Sequence, residues 1–117
     1  MTHTILYVDD EIKETGIQRV LEREGNYLVC PFSDGRKAMA AIDDGLVYDL
    51  GLIDLSLQWG SDGLDVARHS RQVNPKVPII ILSAYDQPKC ETEFPICLLK
   101  PVRTERLLET IGQRLPR

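Results

Sequence analysis

Four short apolar runs in this sequence end in groups able to do chemistry. Thr4–Val8 runs into Asp9-Asp10-Glu11, and Leu50–Ser56 (Leu-Gly-Leu-Ile-Asp-Leu-Ser) carries Asp54. Val77–Leu82 runs into Ser83-Ala84, and Ile96–Leu99 into Lys100-Pro101. If the run ends converge, three carboxylates meet one hydroxyl and one amine. Three like charges a few ångströms apart repel strongly in a partly dehydrated cleft, so some must stay protonated or share a cation. An all-oxygen set without His or Cys suits a hard ion such as Mg²⁺, which keeps several of its waters. Lys100 can balance the charge and bind an anionic group brought to the metal, and Ser83 can offer that group a hydroxyl. The set fits phosphoryl transfer to a carboxylate, with Asp54 as the nucleophile and the ion and Lys100 neutralising the transferred oxygens.

Convergence requires a particular architecture. Short runs rich in Leu, Ile and Val, bounded by turn formers, read as buried parallel strands. The pattern predicts strands at Thr4–Val8, Tyr27–Cys30, Tyr48–Asp54, Pro78–Ser83 and Ile96–Leu99. Between them it predicts a helix over Glu11–Glu24, with Ile12, Ile17, Val20 and Leu21 on one stripe and Gly25 as its stop. A second helix spans Gly35–Asp43, capped by Ser33 or Asp34, with Ala38, Met39 and Ile42 inward. A third opens at Asp62 or Gly63 and runs to Val73, with Leu64, Ala67 and Val73 apolar, before Asn74-Pro75 ends it. Thr104 caps the last, whose buried stripe is Leu107, Leu108, Ile111 and Leu115.

Strands alternating with helices imply an α/β fold: a flavodoxin-like, doubly wound, five-stranded parallel sheet in the order 2-1-3-4-5. In that order the first and third strands adjoin at the switch point, where such sheets bind ligands at their carboxyl ends. Between Ala84 and Ile96 lie eleven residues, including Pro88 and Pro95. A full helix with two connections hardly fits there, so the helix between the fourth and fifth strands is expected to be shortened or missing.

At 117 residues, residues 1–117 are expected to form one domain, burying roughly two-thirds of the unfolded surface. Apolar content of 43% and a charged fraction of 27% suit a soluble globular protein. A net charge of −4 argues against nucleic acid or an anionic membrane as a direct partner. Met1-Thr2-His3 leads straight into a strand, no signal peptide is evident, and no apolar run approaches a membrane span. Cys30, Cys90 and Cys97 lack metal-ligand spacing and read as reduced thiols of a cytoplasmic protein.

The chain resembles the receiver domain of two-component response regulators over nearly its whole length. The resemblance rests on Ile-Leu-Tyr-Val-Asp-Asp-Glu (5–11), Leu-Ile-Asp-Leu (52–55), Asp62-Gly63, Ile-Ile-Leu-Ser-Ala (80–84) and Leu-Leu-Lys-Pro (98–101), in order and at family-like spacing. It implies that Asp54 is the phosphoacceptor, supplied by a sensor histidine kinase or a histidine phosphotransferase. It implies that Asp10, Asp54 and the backbone carbonyl of Ser56 bind Mg²⁺ and that Asp9 contributes through water. Ser83 would be the switch hydroxyl, Lys100 the phosphate contact, and the Lys100-Pro101 peptide cis. Such a domain is not an enzyme beyond the self-catalysed transfer to its own aspartate. With the chain ending soon after its last helix, a downstream protein effector would read the signal through a changed binding surface. The competing expectation is a phosphorylation-independent interaction module on the same fold. A flavodoxin-like nucleotide or flavin binder would need a Gly/Ser/Thr phosphate loop where Asp9-Asp10 would repel phosphate.

Three features depart from the family pattern. Cys97 stands where the family places an aromatic three residues before the lysine. The fourth helix has too little chain. Gln58 stands where proline is common, followed by Trp59-Gly60 and one extra residue before Asp62-Gly63. Trp59 could fold over the site or serve as a docking contact. Cys97 reads as a small buried residue, Cys90 as an exposed one, and His3 and His69 as surface histidines. Arg68, Arg71 and Lys76 read as a solvated helix face, and Ile12 and Ile17 as core.

Overall fold

The computed structural model describes residues 2–55, 57, 63–84 and 93–115. Its elements run β1 (Thr4–Val8), α1 (Ile12–Thr15), α2 (Ile17–Arg23), β2 (Leu28–Phe32), α3 (Gly35–Asp43), β3 (Leu50–Asp54), α4 (Gly63–Val73), β4 (Ile79–Ser83), β5 (Cys97–Leu99) and α5 (Thr104–Arg114). The five strands are all parallel and ordered β2-β1-β3-β4-β5, as the alternating pattern predicts.

Every residue of the two central strands β3 and β4 is buried, which explains their unbroken apolar runs. Strand alternation divides the core in two. Ile5 and Tyr7, Leu50 and Leu52, Ile80 and Leu82, and Leu98 pack with Ile17, Leu21, Leu107, Ile111 and Leu115. Leu6 and Val8, Ile53, Ile79 and Ile81 pack on the other face with Ala38, Ile42, Val66, Ala67 and Phe94. Val8 pairs with Ile53 and Asp54 with Leu82, so the carboxyl ends of β1, β3 and β4 lie nearly level. Asp9 and Asp54 continue the face that carries Tyr7 and Leu52.

Several boundaries differ from the sequence expectation. The helix expected over Glu11–Glu24 is two helices, broken at Gly16, whose φ of 71° is left-handed. That conformation is open to glycine, and apolar periodicity gives no sign of it. The second strand begins at Leu28 and continues through Pro31 to Phe32, because an edge strand tolerates proline. Tyr48 lies before β3 and turns its hydroxyl to Ser70 on α4. Arg103, not Thr104, precedes α5, and no side chain caps that helix. Val73 is exposed, while Val66 and Ser70 take the buried positions of α4. Asp34 is the cap of α3, accepting from the Arg36 amide at 2.8 Å.

The β4–β5 connection, where the helix is expected to be shortened or missing, lies mostly outside the described residues, as do Cys90, Ser56, Trp59 and Asp62. Its last part is anchored on α4. Arg68 forks onto the Glu93 carboxylate, with Nε–Oε2 and Nη2–Oε1 both at 2.9 Å. Arg71 donates to the Glu93 carbonyl at 2.7 Å and stacks on the Phe94 ring, 4.2 Å from its centre. Arg68 and Arg71 therefore do more than solvate a helix face. Phe94 is fully buried and supplies an aromatic three residues before Cys97, whose half-buried thiol donates to the Phe94 carbonyl at 3.1 Å. Of the two isoleucines, Ile17 is buried and Ile12 only partly so. His69 sits at the surface, with Nε2 2.7 Å from Asp43 Oδ1.

Candidate functional site

Three strand ends at the carboxyl edge of the sheet bring Asp9, Asp54 and Lys100 together. Asp9 follows β1, and its amide donates to the Phe32 carbonyl at 3.1 Å, prolonging the β1–β2 ladder by one step. Asp54 ends β3. The Leu55 amide behind it donates to the Leu82 carbonyl at 2.8 Å. The Lys100 amide donates to the Ser83 carbonyl at 2.8 Å, which fixes where the lysine leaves β5, and the Lys100-Pro101 peptide is cis.

The result is one acidic cluster. Asp9, Asp10 and Asp54 each present a carboxylate oxygen within 4.8 Å of the others. Lys100 Nζ lies 3.2 Å from Asp54 Oδ2 and 3.3 Å from Asp9 Oδ2. Asp9 is fully buried, Asp54 is 4% exposed, and Asp10 is half-exposed at the mouth. A cleft of about 580 Å³ opens over them, with Asp10, Asp54, Thr15, Ala84 and Lys100 in its lining. Three carboxylates against one ammonium leave the cluster net negative, and its oxygen-only donors fit a hard divalent cation that keeps some waters. Asp10, at the mouth, and Asp54 could bind such an ion directly.

Ser83 is buried at the end of β4, two residues after Ile81 on the side of the sheet that faces α3 and α4. The next residue, Ala84, lines the cleft instead. Ser56, expected to lend a backbone carbonyl, lies outside the described residues.

Tyr7 also belongs to the site, a role that its place in the apolar run Thr4–Val8 does not single out. Its hydroxyl donates to Asp9 Oδ2 at 2.9 Å and meets Thr15 Oγ1 at 2.9 Å. The available signal was the two-residue spacing from Asp9, which in a strand puts both side chains on one face. Burial, reinforced by Asp9 and Asp54, pushes the Tyr7 phenol far above the usual tyrosine range. For Lys100, burial lowers the ammonium pKa, but Asp54 and then Asp9 outweigh it and hold the group above the usual lysine range.

Both shifts act in the alkaline range. A raised folded-state pKa contributes stability that is present below the unfolded pKa and lost as pH rises through the folded one. Stability should therefore fall as pH approaches and passes 10.0, where the unfolded tyrosine is half ionised. Tyr7→Phe removes the larger contributor. Its urea midpoint should fall less than that of wild type between about pH 8 and about pH 11. Identical falls in both proteins would contradict this assignment.

The family model for the response regulator receiver domain matches residues 5–112. This chain belongs to the response regulator receiver family. Transcriptional regulatory protein ZraR of Escherichia coli (strain K12) is 30% identical, over 98% of this chain and 27% of that protein. Transcriptional regulatory protein TcrA of Mycobacterium tuberculosis is 40% identical over 68% of this chain and 31% of that protein. The receiver chain thus spans about a quarter to a third of the length of these relatives. Among solved structures, a response regulator receiver protein from Sinorhizobium medicae WSM419 superposes with a TM-score of 0.84 at 28% identity, covering 97% of this chain and 94% of that one. Response regulator TrrA of Thermotoga maritima, solved in complex with Mg(2+)-BeF, gives 0.83 at 26% identity, covering 98% and 100%. The doubly wound, five-stranded parallel fold expected from the strand pattern, and the receiver family expected from the motif resemblance, are those observed. Among the described residues, no helix is long and apolar enough to cross a membrane.

Proposed function

We propose that this receiver domain accepts a phosphoryl group on Asp54 from a histidine kinase or histidine phosphotransferase and signals through a changed protein-binding surface. The observation that carries the reading is Lys100 reaching both Asp54 and Asp9 at the base of an acidic cleft. An ammonium held there can meet the oxygens of an incoming phosphoryl group while the Asp54 carboxylate faces its phosphorus. The Asp54 oxygen forms the new P–O bond as the donor's P–N bond breaks, and the leaving imidazole takes a proton from solvent. Asp10 and Asp54 would hold Mg²⁺ with Asp9 behind them, joined by the Ser56 carbonyl. That ion would supply charge neutralisation for the transferred oxygens. Mg(2+)-BeF in the Thermotoga relative supports the assignment by analogy.

The chain's one reaction would be on its own carboxylate, so it acts as a switch and not as an enzyme on other substrates. The added charge at the sheet edge would draw in the Ser83 hydroxyl and reshape the loops after β4 and β5 for a protein effector. The transcriptional regulators it resembles are consistent with such an output, and a reduced, cytoplasmic setting fits a kinase donor.

Intact-mass measurement after incubation with acetyl phosphate tests the reading. With Mg²⁺ the chain should gain one phosphoryl group; after chelation it should gain none, while the thermal midpoint falls only slightly. Absence of label in the presence of Mg²⁺ favours a phosphorylation-independent interaction module. Labelling that survives chelation contradicts the metal assignment.

A further inference from the structure

Asp9 is fully buried, and its two oxygens are held by three donors. The Glu11 amide donates to Oδ1 at 2.9 Å, while Oδ2 accepts from Tyr7 at 2.9 Å and from Lys100 at 3.3 Å. These holds are unequal in kind. Lys100 is shared with Asp54, and an arriving anion competes for it. The Glu11 amide fixes one oxygen only, leaving the carboxylate free to turn about its own bond. Tyr7 is the second fixed point, and it comes from a strand buried on both sides.

Tyr7 is itself oriented. Its single proton goes to the Asp9 carboxylate, so the 2.9 Å contact takes the Thr15 proton, which the Ile12 carbonyl, 3.5 Å from Thr15 Oγ1, competes for at a much longer distance. Thr15 Oγ1 in turn accepts from the Ile17 amide at 3.3 Å. A one-way chain of donors therefore runs from the first amide of α2, through Thr15 and Tyr7, to Asp9, and successive bonds in such a chain polarise one another. The left-handed turn at Gly16 separates α1 from α2 and leaves the Ile17 amide free of an intrahelical partner, so that it can start the chain.

We infer that Tyr7 is a positioning residue of the acidic site: its hydroxyl sets the orientation of Asp9 toward a divalent cation, and Thr15 at the helix break sets Tyr7. The inference rests on the proposed Mg²⁺ site and adds to it a residue outside the metal's immediate surroundings. An aromatic placed only to fill the sheet would need no hydroxyl, and Tyr7→Phe separates the two roles.

The test is calorimetric titration of MgCl₂ into the full chain, as wild type, Tyr7→Phe and Thr15→Val. It is paired with the amide proton shift of Glu11, which reports on Asp9 Oδ1. Tyr7→Phe should bind Mg²⁺ about 10-fold more weakly, the low end of what outlying hydrogen-bond partners of a metal site contribute. Its Glu11 amide proton should move upfield without metal. Thr15→Val should shift both in the same direction, by about 2-fold in affinity. A purely structural role would lower the unfolding midpoint and leave Mg²⁺ affinity and the Glu11 resonance unchanged, and that result overturns the inference. If Tyr7→Phe does not fold, Thr15→Val decides alone, and unchanged Mg²⁺ affinity there also overturns it. Wild type that fails to bind Mg²⁺ would overturn the metal site itself, a distinguishable outcome.

Discussion

Gly63→Ala should be the most damaging small substitution near the site, lowering stability by on the order of 3–5 kcal/mol. A Cβ built at Gly63 would lie 1.8 Å from the Asp54 carbonyl oxygen, 2.7 Å from its carbonyl carbon and 2.8 Å from the Leu55 Cα. All three are backbone atoms of a strand end with no flexible side chain to give way. The close approach has a purpose, since the Gly63 amide donates to the Leu55 carbonyl at 3.1 Å and ties the start of α4 to the end of β3. Relief of the clash must push α4 off the sheet or displace Asp54. A domain of this size has roughly 5–15 kcal/mol to lose, so the thermal midpoint should fall by about 10–20 °C. Gly112→Ala is the control. A Cβ there meets nothing within 4 Å on an exposed helical position, and the change should raise stability by about 0.5–1 kcal/mol. Scanning calorimetry of both variants checks the pair, and equal midpoints would contradict the close approach at Gly63.

Asp54→Asn should abolish phosphoryl uptake without harming the fold. The amide keeps the shape and an acceptor oxygen but is no nucleophile, so labelling should fall to background, a loss of at least ~10³-fold. One of three crowded carboxylates also disappears, while Lys100 keeps Asp9 at 3.3 Å. Relief of like-charge repulsion should leave the thermal midpoint unchanged or raised. Labelling retained in this variant would move the acceptor to another side chain. A sharply lowered midpoint would mean that the Lys100–Asp54 pair contributes more stability than the repulsion costs.

The sheet and the acids at its edge were legible because the signals are local. Within Leu50–Asp54 and Ile79–Ser83 every residue is buried, so all but the last residue of each strand are apolar or glycine and the polar Asp54 and Ser83 stand out at the ends. Asp9, Asp10, Asp54 and Lys100 follow from strand ends alone once the order 2-1-3-4-5 is assumed, because parallel strands finish on the same edge. The features that stayed hidden depend on partners distant in sequence. Gly16 sits amid a good helical stripe, and only its backbone angles show the break. Arg71 looks like any surface arginine until Phe94 comes under it from more than twenty residues away. Tyr7 looks like strand filler until Thr15 and Asp9 bracket its hydroxyl. Thr104 resembles a cap by composition, yet its place as the first residue of α5 leaves that role to the backbone of Arg103.

Chemical trapping of the phosphorylated site bears most directly on the whole account. An acyl phosphate is reduced by borohydride to an alcohol at the carboxyl that carried it, and peptide mapping then names the residue. After incubation with Mg²⁺ and acetyl phosphate, reduction should appear at Asp54 alone and vanish when the metal is chelated. Reduction at Asp9 or Asp10, or at no carboxyl, would contradict it.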